Sequence, residues 1–220
     1  MQETVITVQG RFSDWYKPER ATVDLSVSFE GPDRLPVFEH ATRAAEIVRS
    51  TITSLHDAQA GPVTWWSSDS LAVWSTKPWN NEGKQLAPVM HAAINFSVRF
   101  SDFEALARMI EVVAGIDGVS VGNIDWSLTA GRETSVTAEV RSRAVKDAVA
   151  KASVYAQSIG LGSVRAIALA DPGMLGDQGA GPMPFAVDAM RMGSAGGSEL
   201  MLKPEDIEVT AVVDARFIAS

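Results

Sequence analysis

The sequence predicts an α+β protein built from two α/β-sandwich units, with one unit inserted into the other. Apolar and polar residues alternate over 21–29 and 89–100, which is the pattern of strands with one face on a core. Residues 133–159 instead carry apolar side chains three and four positions apart, as in a long amphipathic helix. The elements within 21–128 follow the order strand, helix, strand, strand, helix, strand, which is the ferredoxin-like βαββαβ arrangement.

The first elements of the chain are a strand over 4–12 and the alternating strand over 21–29. A helix is expected from Asp33, a favourable N-cap residue, to about His56. A strand rich in Trp and Val then runs over 63–75. The core residues expected in the two strands and the helix are Ile6, Val8, Phe12, Ala21, Val23, Leu25, Val27, Phe29, Val37, Ala41, Ala44, Val48, Ile52 and Leu55.

Two neighbouring strands form a predicted hairpin. Residues 77–83 (KPWNNEG) have the composition of a turn and separate the strand over 63–75 from the strand over 89–100. Because these strands are close in sequence, we expect an antiparallel pair. Trp65 and Trp66 are adjacent on a strand and therefore face opposite sides, so one is expected in the core and the other at the surface.

A second helix and a strand follow the hairpin. Ser101 and Glu104 have the spacing of a capping box, in which the serine side chain caps the helix. The residues expected on the buried face of this helix are Phe103, Leu106, Ala107, Ile110 and Ala114. The strand over 119–128 follows, with Gly122–Asn123 as a predicted bulge.

The long helix over 133–159 carries an alanine-rich stripe, which lets it lie close to the surface on which it packs. The stripe consists of Val136, Val140, Ala144, Ala148, Ala152, Tyr155 and Ile159. On the outer face, Glu139–Arg143 and Asp147–Lys151 are ion pairs at i,i+4, each worth about 0.3 kcal/mol. Gly160 suits the position after the helix, and a strand over 164–169 follows.

The C-terminal part contains a long loop and a last strand. Residues 171–204 are rich in Gly and Pro, and a loop of this length within a compact domain is commonly functional or disordered. The strand over 207–217 is expected to pair with the N-terminal strand and the strand after the long helix, in a second sheet covered by that helix. The chain thus divides into a ferredoxin-like unit over 20–129 and a second unit made of 1–19 and 130–220.

The composition argues against several classes of function. The net charge of −8 and the pI near 4.9 disfavour binding to nucleic acid or to an anionic membrane surface. The absence of cysteine excludes disulfides, thiol catalysis and thiolate metal sites. No apolar run reaches the ~18 residues of a membrane span. The N-terminus lacks the pattern of a signal peptide, so the chain as written is expected to be cytoplasmic.

Catalytic and cofactor motifs are not found either. His40, His56 and His91 do not have the spacing of metal ligands. Ser194 and Ser198 lie in a glycine-rich stretch with no neighbouring histidine, and no nucleophile-elbow motif is present. Phosphate-binding glycine motifs are also missing. The sequence therefore predicts a protein that is not an enzyme and that uses neither a metal nor a cofactor.

A candidate interaction surface combines the tryptophan-rich hairpin with an apolar stretch of the long loop. Its residues are Trp66, Trp74, Trp79, Phe185, Met190 and Met192. Interfaces favour Trp and Met anchors, and a large ring at the tip of a hairpin seldom stays bare. Two interpretations are open: other parts of the same chain cover these side chains, or a second subunit does.

Four segments carry a family resemblance: ITVQGRF, RATVDLSVSFEGPD, VRSRAVKDAVAKASVYAQSIGLGSV and KPEDIEVTAVVDARF. In this order and spacing, the chain resembles the SIMPL-domain family, a bacterial group that includes a periplasmic outer-membrane immunogenic protein. The resemblance implies a two-part α+β fold whose middle unit is inserted into a unit built from both chain ends. It also implies homo-oligomers, mostly exported members and no established enzymatic activity. The tryptophan-rich hairpin departs from the Tyr and Gly usual in the family.

Two functional hypotheses follow. The first is a non-enzymatic, self-associating scaffold or binding protein that acts through the hairpin and the loop over 171–204. The alternative is a small-molecule-binding protein or weak hydrolase with a pocket between the two units, over which this loop would close as a lid.

Overall fold

The computed structural model describes residues 3–175 and 202–220 and confirms the α+β fold class. In these ranges the chain forms three helices and two antiparallel sheets. The strands are β1 (Thr4–Tyr16), β2 (Arg20–Gly31), β3 (Val63–Ser68), β4 (Ala72–Thr76), β5 (Val89–Phe100), β6 (Val119–Ser127), β7 (Val164–Ala170) and β8 (Ile207–Ala219), and the helices are α1 (Arg34–Leu55), α2 (Phe103–Ala114) and α3 (Ala130–Ser158). None of the helices in the described ranges is both long enough and apolar enough to span a membrane.

The described residues separate into two compact units. The first, which we call the ferredoxin-like unit, comprises residues 18–127 and 202–205. The second, the terminal unit, comprises residues 3–17, 128–175 and 206–220. Residues 202–205 belong with the ferredoxin-like unit because Leu202 packs against its core, whereas the sequence analysis grouped them with the terminal unit.

The ferredoxin-like unit contains a sheet with the strand order β3-β5-β2-β6. Strand β4 pairs with the same edge of β5 as β3 does. The middle strand β2 is antiparallel to both neighbours, with Val23 opposite Val98 of β5 and Ile124 of β6. The predicted bulge at Gly122–Asn123 is confirmed, because these two residues of β6 lie opposite Asp24 alone. Both α1 and α2 pack on one face of the sheet, while the other face carries no helix among the described residues.

The predicted core positions of this unit are largely confirmed. The alternating residues over 21–27 are buried, and Phe29 is half-buried. On α1 the buried residues include Val37, Ala41, Ala44, Val48 and Ile52, as predicted, and Leu55 packs partly buried against the same core. The helix begins after Asp33 and ends before His56, although the Asp33 side chain makes no capping hydrogen bond.

The prediction of one continuous strand over 63–75 is wrong in one respect. The segment forms two strands, β3 and β4, which pair one after the other with β5. Between them, residues 69–71 take the place that two residues would occupy in a regular ladder. The N–H of Asp69 donates to the carbonyl of Asn95 (3.0 Å), which keeps the interrupted segment beside β5. The predicted antiparallel hairpin itself is confirmed.

The cap of α2 also differs from the prediction. Asp102 caps the helix: its carboxylate Oδ1 accepts from the N–H groups of Glu104 (2.9 Å) and Ala105 (3.0 Å). Ser101 instead donates its hydroxyl to the carbonyl of Gly61 (3.1 Å). The buried residues of α2 are Ala105, Leu106, Met109, Ile110 and Val113, whereas Ala107 is only half-buried and Ala114 is exposed. The observed face buries larger apolar side chains than the predicted face would, and burying more apolar surface stabilises the fold.

The terminal unit has a three-stranded sheet in the order β1-β8-β7, so the C-terminal strand pairs with both others, as predicted. The buried stripe of α3 is Val136, Val140, Ala144, Ala148, Ala152 and Ala156. The predicted Tyr155 and Ile159 are exposed, because the stripe keeps its four-residue spacing and so crosses the helix obliquely, as the sheet twists. Gly160 ends the helix with a φ of 79°, and the N–H of Leu161 donates to the Ala156 carbonyl (2.9 Å) in a Schellman motif.

The close approach of β1 to α3 requires a glycine at position 10. A β-carbon added to Gly10 would lie 2.1 Å from the carbonyl oxygen of Ala144 and 2.8 Å from the β-carbon of Ala148. Both distances are far below van der Waals contact, so only glycine fits without moving the helix. The alanine stripe and Gly10 therefore form one closely packed contact.

The predicted ion pairs Glu139–Arg143 and Asp147–Lys151 are present in α3. The sequence predicted the second pair only as an ion pair on the outer face of the helix, but it also binds the backbone of β1. Asp147 accepts from the backbone N–H of Arg11 (2.8 Å), and Lys151 donates to the backbone carbonyl of Gln9 (3.0 Å). Because β1 is an outer strand of its sheet, these side chains satisfy backbone groups that would otherwise be open to another strand.

Candidate interaction surface

The tryptophan hairpin, which we define as residues 63–100, carries four indole rings. Trp65 and Trp74 lie on the outer face of the ferredoxin-like sheet, 42% and 45% exposed, and Trp79 lies at the tip, 66% exposed. Trp66 points the other way and packs partly buried against the core. The expectation that one of the adjacent pair faces the core is therefore confirmed, and Trp65 rather than Trp66 presents its ring on the outer face.

The tip of the hairpin is held by hydrogen bonds from one asparagine. The Asn80 side-chain oxygen accepts from the backbone N–H groups of Glu82 (3.1 Å) and Lys84 (2.8 Å). The backbone N–H of Asn80 donates to the Lys84 carbonyl (2.9 Å). Trp79 pairs with Gln85 across the turn. These bonds fix the backbone on both sides of Trp79, although its ring is mostly in solvent.

Trp74 is positioned by a histidine on the neighbouring strand. Its ring stacks on that of His91, with centroids 5.3 Å apart and planes inclined by 16°. His91 is itself fixed, because Nε2 lies 2.8 Å from the hydroxyl of Thr76 and Nδ1 lies 3.6 Å from the carboxylate of Glu30. The stacked pair therefore presents one indole in a defined orientation at the tip-proximal end of the outer face.

Trp65 is positioned by an arginine at the opposite end of the hairpin. The Arg99 guanidinium lies 5.1 Å from the centre of the Trp65 ring, a cation–π distance. The Nε of Arg99 also donates to the hydroxyl of Thr22 on β2 (3.5 Å), a long hydrogen bond. Thus Trp65 and Trp74 both lie beside a polar group from β5 and remain partly open to solvent.

A polar groove of about 390 Å³ lies on the outer face between these two rings. Its lining residues come from β2, β3, β5, β6 and the break after β3, and its main polar members are Asp24, Ser26, Ser67, Asp69, Asn95, Ser97 and Ser120. The amide of Asn95 donates to the carboxylate of Asp69 (3.2 Å), which orders the middle of the groove. Hydroxyl, amide and carboxylate groups are thus concentrated in one groove on the outer face of the sheet.

A larger depression, of about 700 Å³, lies along the outer surface of α1. The described residues that line it all belong to this one helix, and they include Phe38, Arg43 and Glu46. A single helical face brings together no side chains from different elements, so it does not define a functional site of the kind found in the groove.

The histidines lie apart from one another. His40 is close to Phe29, with ring centroids 5.7 Å apart, and His56 is the C-cap residue of α1. His91 belongs to the outer face with Trp74. Within the described part of the chain, no three His, Asp or Glu side chains meet in an arrangement that could hold a metal ion.

Two acidic side chains with lowered pKa values serve structural roles. The pKa of Asp147 is lowered by its hydrogen bond to Lys151 and then by that from the Arg11 N–H. The pKa of Asp57 is lowered because its carboxylate accepts from the N–H groups of Gln59 and Ala60 just after α1. The charged form is therefore stabilised by Lys151 and the backbone of β1 at Asp147, and by the local backbone at Asp57.

The terminal unit contains a tyrosine with a raised pKa. Burial raises the pKa of Tyr16, and the nearby Glu139 and Asp14 charges raise it further. Among the described residues nothing hydrogen-bonds the buried Tyr16 hydroxyl, and the Arg132 guanidinium lies 5.6 Å from the centre of its ring. A raised pKa keeps this hydroxyl protonated, which makes it a poor nucleophile or base.

The remaining sequence candidates cannot be placed beside the hairpin. Phe185, Met190 and Met192, proposed for the interaction surface, lie outside the described residues, as do Ser194 and Ser198. Sequence reasoning also missed the polar groove. Its signal was present in the alternation of β5, since burial of every second residue places Asn95, Ser97 and Arg99 on the opposite face.

The fold and the outer face define an α+β protein with two antiparallel sheets and an aromatic and polar surface on one of them. The chain belongs to the SIMPL family: the sequence pattern of this family, described as a protein of unknown function (DUF541), matches residues 6–217. No curated protein matches the sequence.

A solved structure, an amidase of the hydantoinase/carbamoylase family from Burkholderia multivorans, is similar over 55% of this chain and 28% of that chain. The sequence identity is 16% and the TM-score is 0.21. This chain thus spans less than a third of the amidase, and so low a score supports no conclusion about fold or function.

Proposed function

We propose that this protein is a non-catalytic binding protein that self-associates through the tip of its tryptophan hairpin. The observation that carries the proposal is the exposure of Trp79 (66%) and Leu86 (46%) on a turn that hydrogen bonds hold in one conformation. The non-catalytic part rests on the sequence, in which no histidine stands at a catalytic or metal-binding spacing. The SIMPL resemblance likewise implies homo-oligomers.

The physics of interfaces supports this use of the tip. Tryptophan is the side chain most enriched among the residues that dominate binding energy, because its large ring buries much surface with little loss of conformational entropy. A turn already fixed by Asn80 loses little further freedom when Trp79 is buried by a partner.

Association by adding strands at the sheet edges is less favourable than association through side chains. Register shifts interrupt β3 at Thr64, β6 at Gly122–Asn123 and β7 at Ile167, and β4 has only five residues. The outer edge of β1 is occupied by Asp147 and Lys151. Bulges, short strands and charged side chains at an edge are devices that block edge-to-edge pairing.

Sedimentation velocity over a wide concentration range tests the proposal. The expected result is a species larger than the 23.5 kDa monomer whose fraction rises with concentration. The double variant Trp79→Ser with Leu86→Ser should shift the protein to the monomer while leaving its thermal melting unchanged. The matched control is Trp15→Ser, which removes an equally exposed tryptophan (61%) from the terminal unit and should leave the association intact.

Two outcomes contradict the proposal. One is a monomer at every concentration for the unaltered chain. The other is equal loss of association in the double variant and in Trp15→Ser, which would point to a contact unrelated to the hairpin tip.

A further inference from the structure

We infer that the polar groove on the outer face of the ferredoxin-like sheet binds a neutral oligosaccharide chain, which lies along the tryptophan hairpin from Trp65 to Trp74. The inference rests on the proposed binding role of this chain but does not require self-association, since the groove lies away from Trp79 at the tip. Three features of the outer face lead to this ligand.

The first feature is the mixture of hydrogen-bonding groups. Serine hydroxyls donate and accept, an asparagine amide does both at separate atoms, and ionised aspartates accept only. Ser26, Ser67 and Ser97 line the groove together with Asn95 and Asp69, so both donors and acceptors are present there. Sugar hydroxyls each donate one hydrogen bond and accept others, and therefore fit such a surface better than ligands that only donate or only accept.

The second feature is a pair of indole rings on the outer face, one on each side of the groove in the direction of β5, although neither ring lines it. Trp65 lies beside Arg99 and Trp74 beside His91, and these partners stand eight positions apart on β5. At ~3.3 Å per residue, the two indoles are roughly 26 Å apart along the hairpin. The C–H faces of sugar rings are apolar and pack on indole faces, while their hydroxyls point sideways. Two fixed rings separated by polar groups therefore suit a chain of several sugar units.

The third feature is that the groove is acidic and that the backbone groups of its strands are already paired. Both properties argue against other extended ligands. Asp24 and Asp69 place two carboxylates in the groove of a chain with net charge −8, so phosphate-rich or polyanionic ligands are repelled. An extended peptide usually binds by adding a strand at an edge, where backbone groups are free. The groove lies on the face of paired strands, so it offers a peptide only side chains.

The groove also has the dimensions of a ligand site. Its volume of about 390 Å³ is within the range of ~300–1,000 Å³ that small-molecule sites occupy. The hydrogen bond from Asn95 to Asp69 and the stacking of Arg99 and His91 on the two indoles order these groups before a ligand arrives. Little conformational entropy remains to be lost on binding.

Affinity electrophoresis in native gels tests the inference with the intact protein. The acidic protein migrates through gels that contain a neutral β-glucan, a neutral mannan, polygalacturonate or no polymer. Binding to polylysine, a basic polymer, is measured separately in solution. We expect at least one neutral polysaccharide to retard the protein and polygalacturonate to leave it unretarded. Trp65→Ala and Asn95→Ala should each weaken the apparent affinity about tenfold, the size expected for one stacking or hydrogen-bonding partner.

Matched variants separate the groove from general effects. Trp15→Ala and Asn81→Ala change the same residue types at exposed positions outside the groove and should leave the retardation unchanged. Thermal melts establish that every variant is folded. The variant Trp79→Ser with Leu86→Ser should remain retarded even when it is monomeric, so failure of self-association and failure of glycan binding are read independently.

Three results overturn the inference. The first is unretarded migration in both neutral polysaccharides. The second is retardation that Trp65→Ala and Asn95→Ala leave unaltered, which would place binding elsewhere on the chain. The third is binding of polylysine alone, which would show that the carboxylates of Asp24 and Asp69 select a basic polymer rather than a sugar.

Discussion

Replacing Gly10 by alanine is the sharpest perturbation that the terminal unit offers. The new β-carbon would stand 2.1 Å from the Ala144 carbonyl oxygen and 2.8 Å from the backbone nitrogen and β-carbon of Ala148. Relief requires β1 and α3 to separate by about 1 Å, and a gap of that size removes a quarter to a half of the dispersion energy of each contact. The alanine stripe of α3 would lose much of its packing on β1.

The magnitude follows from these contacts. Overpacking a well-packed core costs about 1–3 kcal/mol, and a clash with backbone oxygen belongs at the upper end. Separation also stretches the hydrogen bonds from Arg11 to Asp147 and from Lys151 to Gln9, each worth about 1 kcal/mol. We therefore expect Gly10→Ala to lower the free energy of unfolding by about 3–5 kcal/mol.

Urea unfolding followed by far-ultraviolet circular dichroism measures this change, because α3 is the longest helix in the described residues. With a urea dependence of ~1.5 kcal/mol per molar, the midpoint should fall by roughly 2 M or more. The matched control is Gly131→Ala in the first turn of α3, where a β-carbon meets nothing within 4 Å. That variant should be as stable as the parent or more stable by up to about 1 kcal/mol. Equal midpoints for Gly10→Ala and the parent would refute the close packing of β1 on α3.

Three further variants test other contacts. Asp147→Asn should lower the free energy of unfolding by about 1 kcal/mol at neutral pH, a value reduced for partial exposure. Because folding lowers the pKa of Asp147 below its ordinary 3.8, this contribution is present above about pH 4 and is lost as the pH falls through the folded-state pKa, where parent and variant should converge in acid titrations. Asp102→Ala should lower the free energy of unfolding, measured in urea, by about 1 kcal/mol, and Ser101→Ala should lower it less, because only the aspartate caps α2. Equal losses in the two variants would contradict this assignment. Trp66→Ala should cost about 2 kcal/mol or more and Trp65→Ala under about 1 kcal/mol in thermal melts, and the reverse order would mean that the two faces of β3 are exchanged.

The elements and their faces could be predicted from the sequence because period-two and period-3.6 patterns are local. The alternation over 89–100 gave the full length of β5 and both of its faces, and the inserted arrangement followed from the order of elements. Gly122–Asn123 marked a bulge because glycine and asparagine tolerate the irregular backbone there. These features need no knowledge of distant contacts.

The predictions that were wrong or incomplete concern features that depend on contacts between residues far apart in the sequence. The break between β3 and β4 appears only in the pairing with β5, where residues 69–71 lie opposite two residues and Asp69 bonds Asn95, a partner 26 positions away. Ser101 has the spacing of a cap but finds its partner at Gly61, which leaves Asp102 to cap the helix. Likewise, Asp147 was expected in a surface ion pair, yet it also binds the backbone of β1. The alternation of β5 indicated which of its side chains face outward, but the contact between Asp69 and Asn95 within the groove is a distant one that the sequence does not show.

The central claim is that this protein acts through the outer face and tip of its tryptophan hairpin. Hydroxyl-radical footprinting of individual tryptophans, at low and high protein concentration and with or without neutral polysaccharide, tests it directly. We predict that polysaccharide protects Trp65 and Trp74, that higher concentration protects Trp79, and that Trp15 stays equally reactive throughout. Unchanged reactivity of Trp65, Trp74 and Trp79 under all four conditions would contradict the claim.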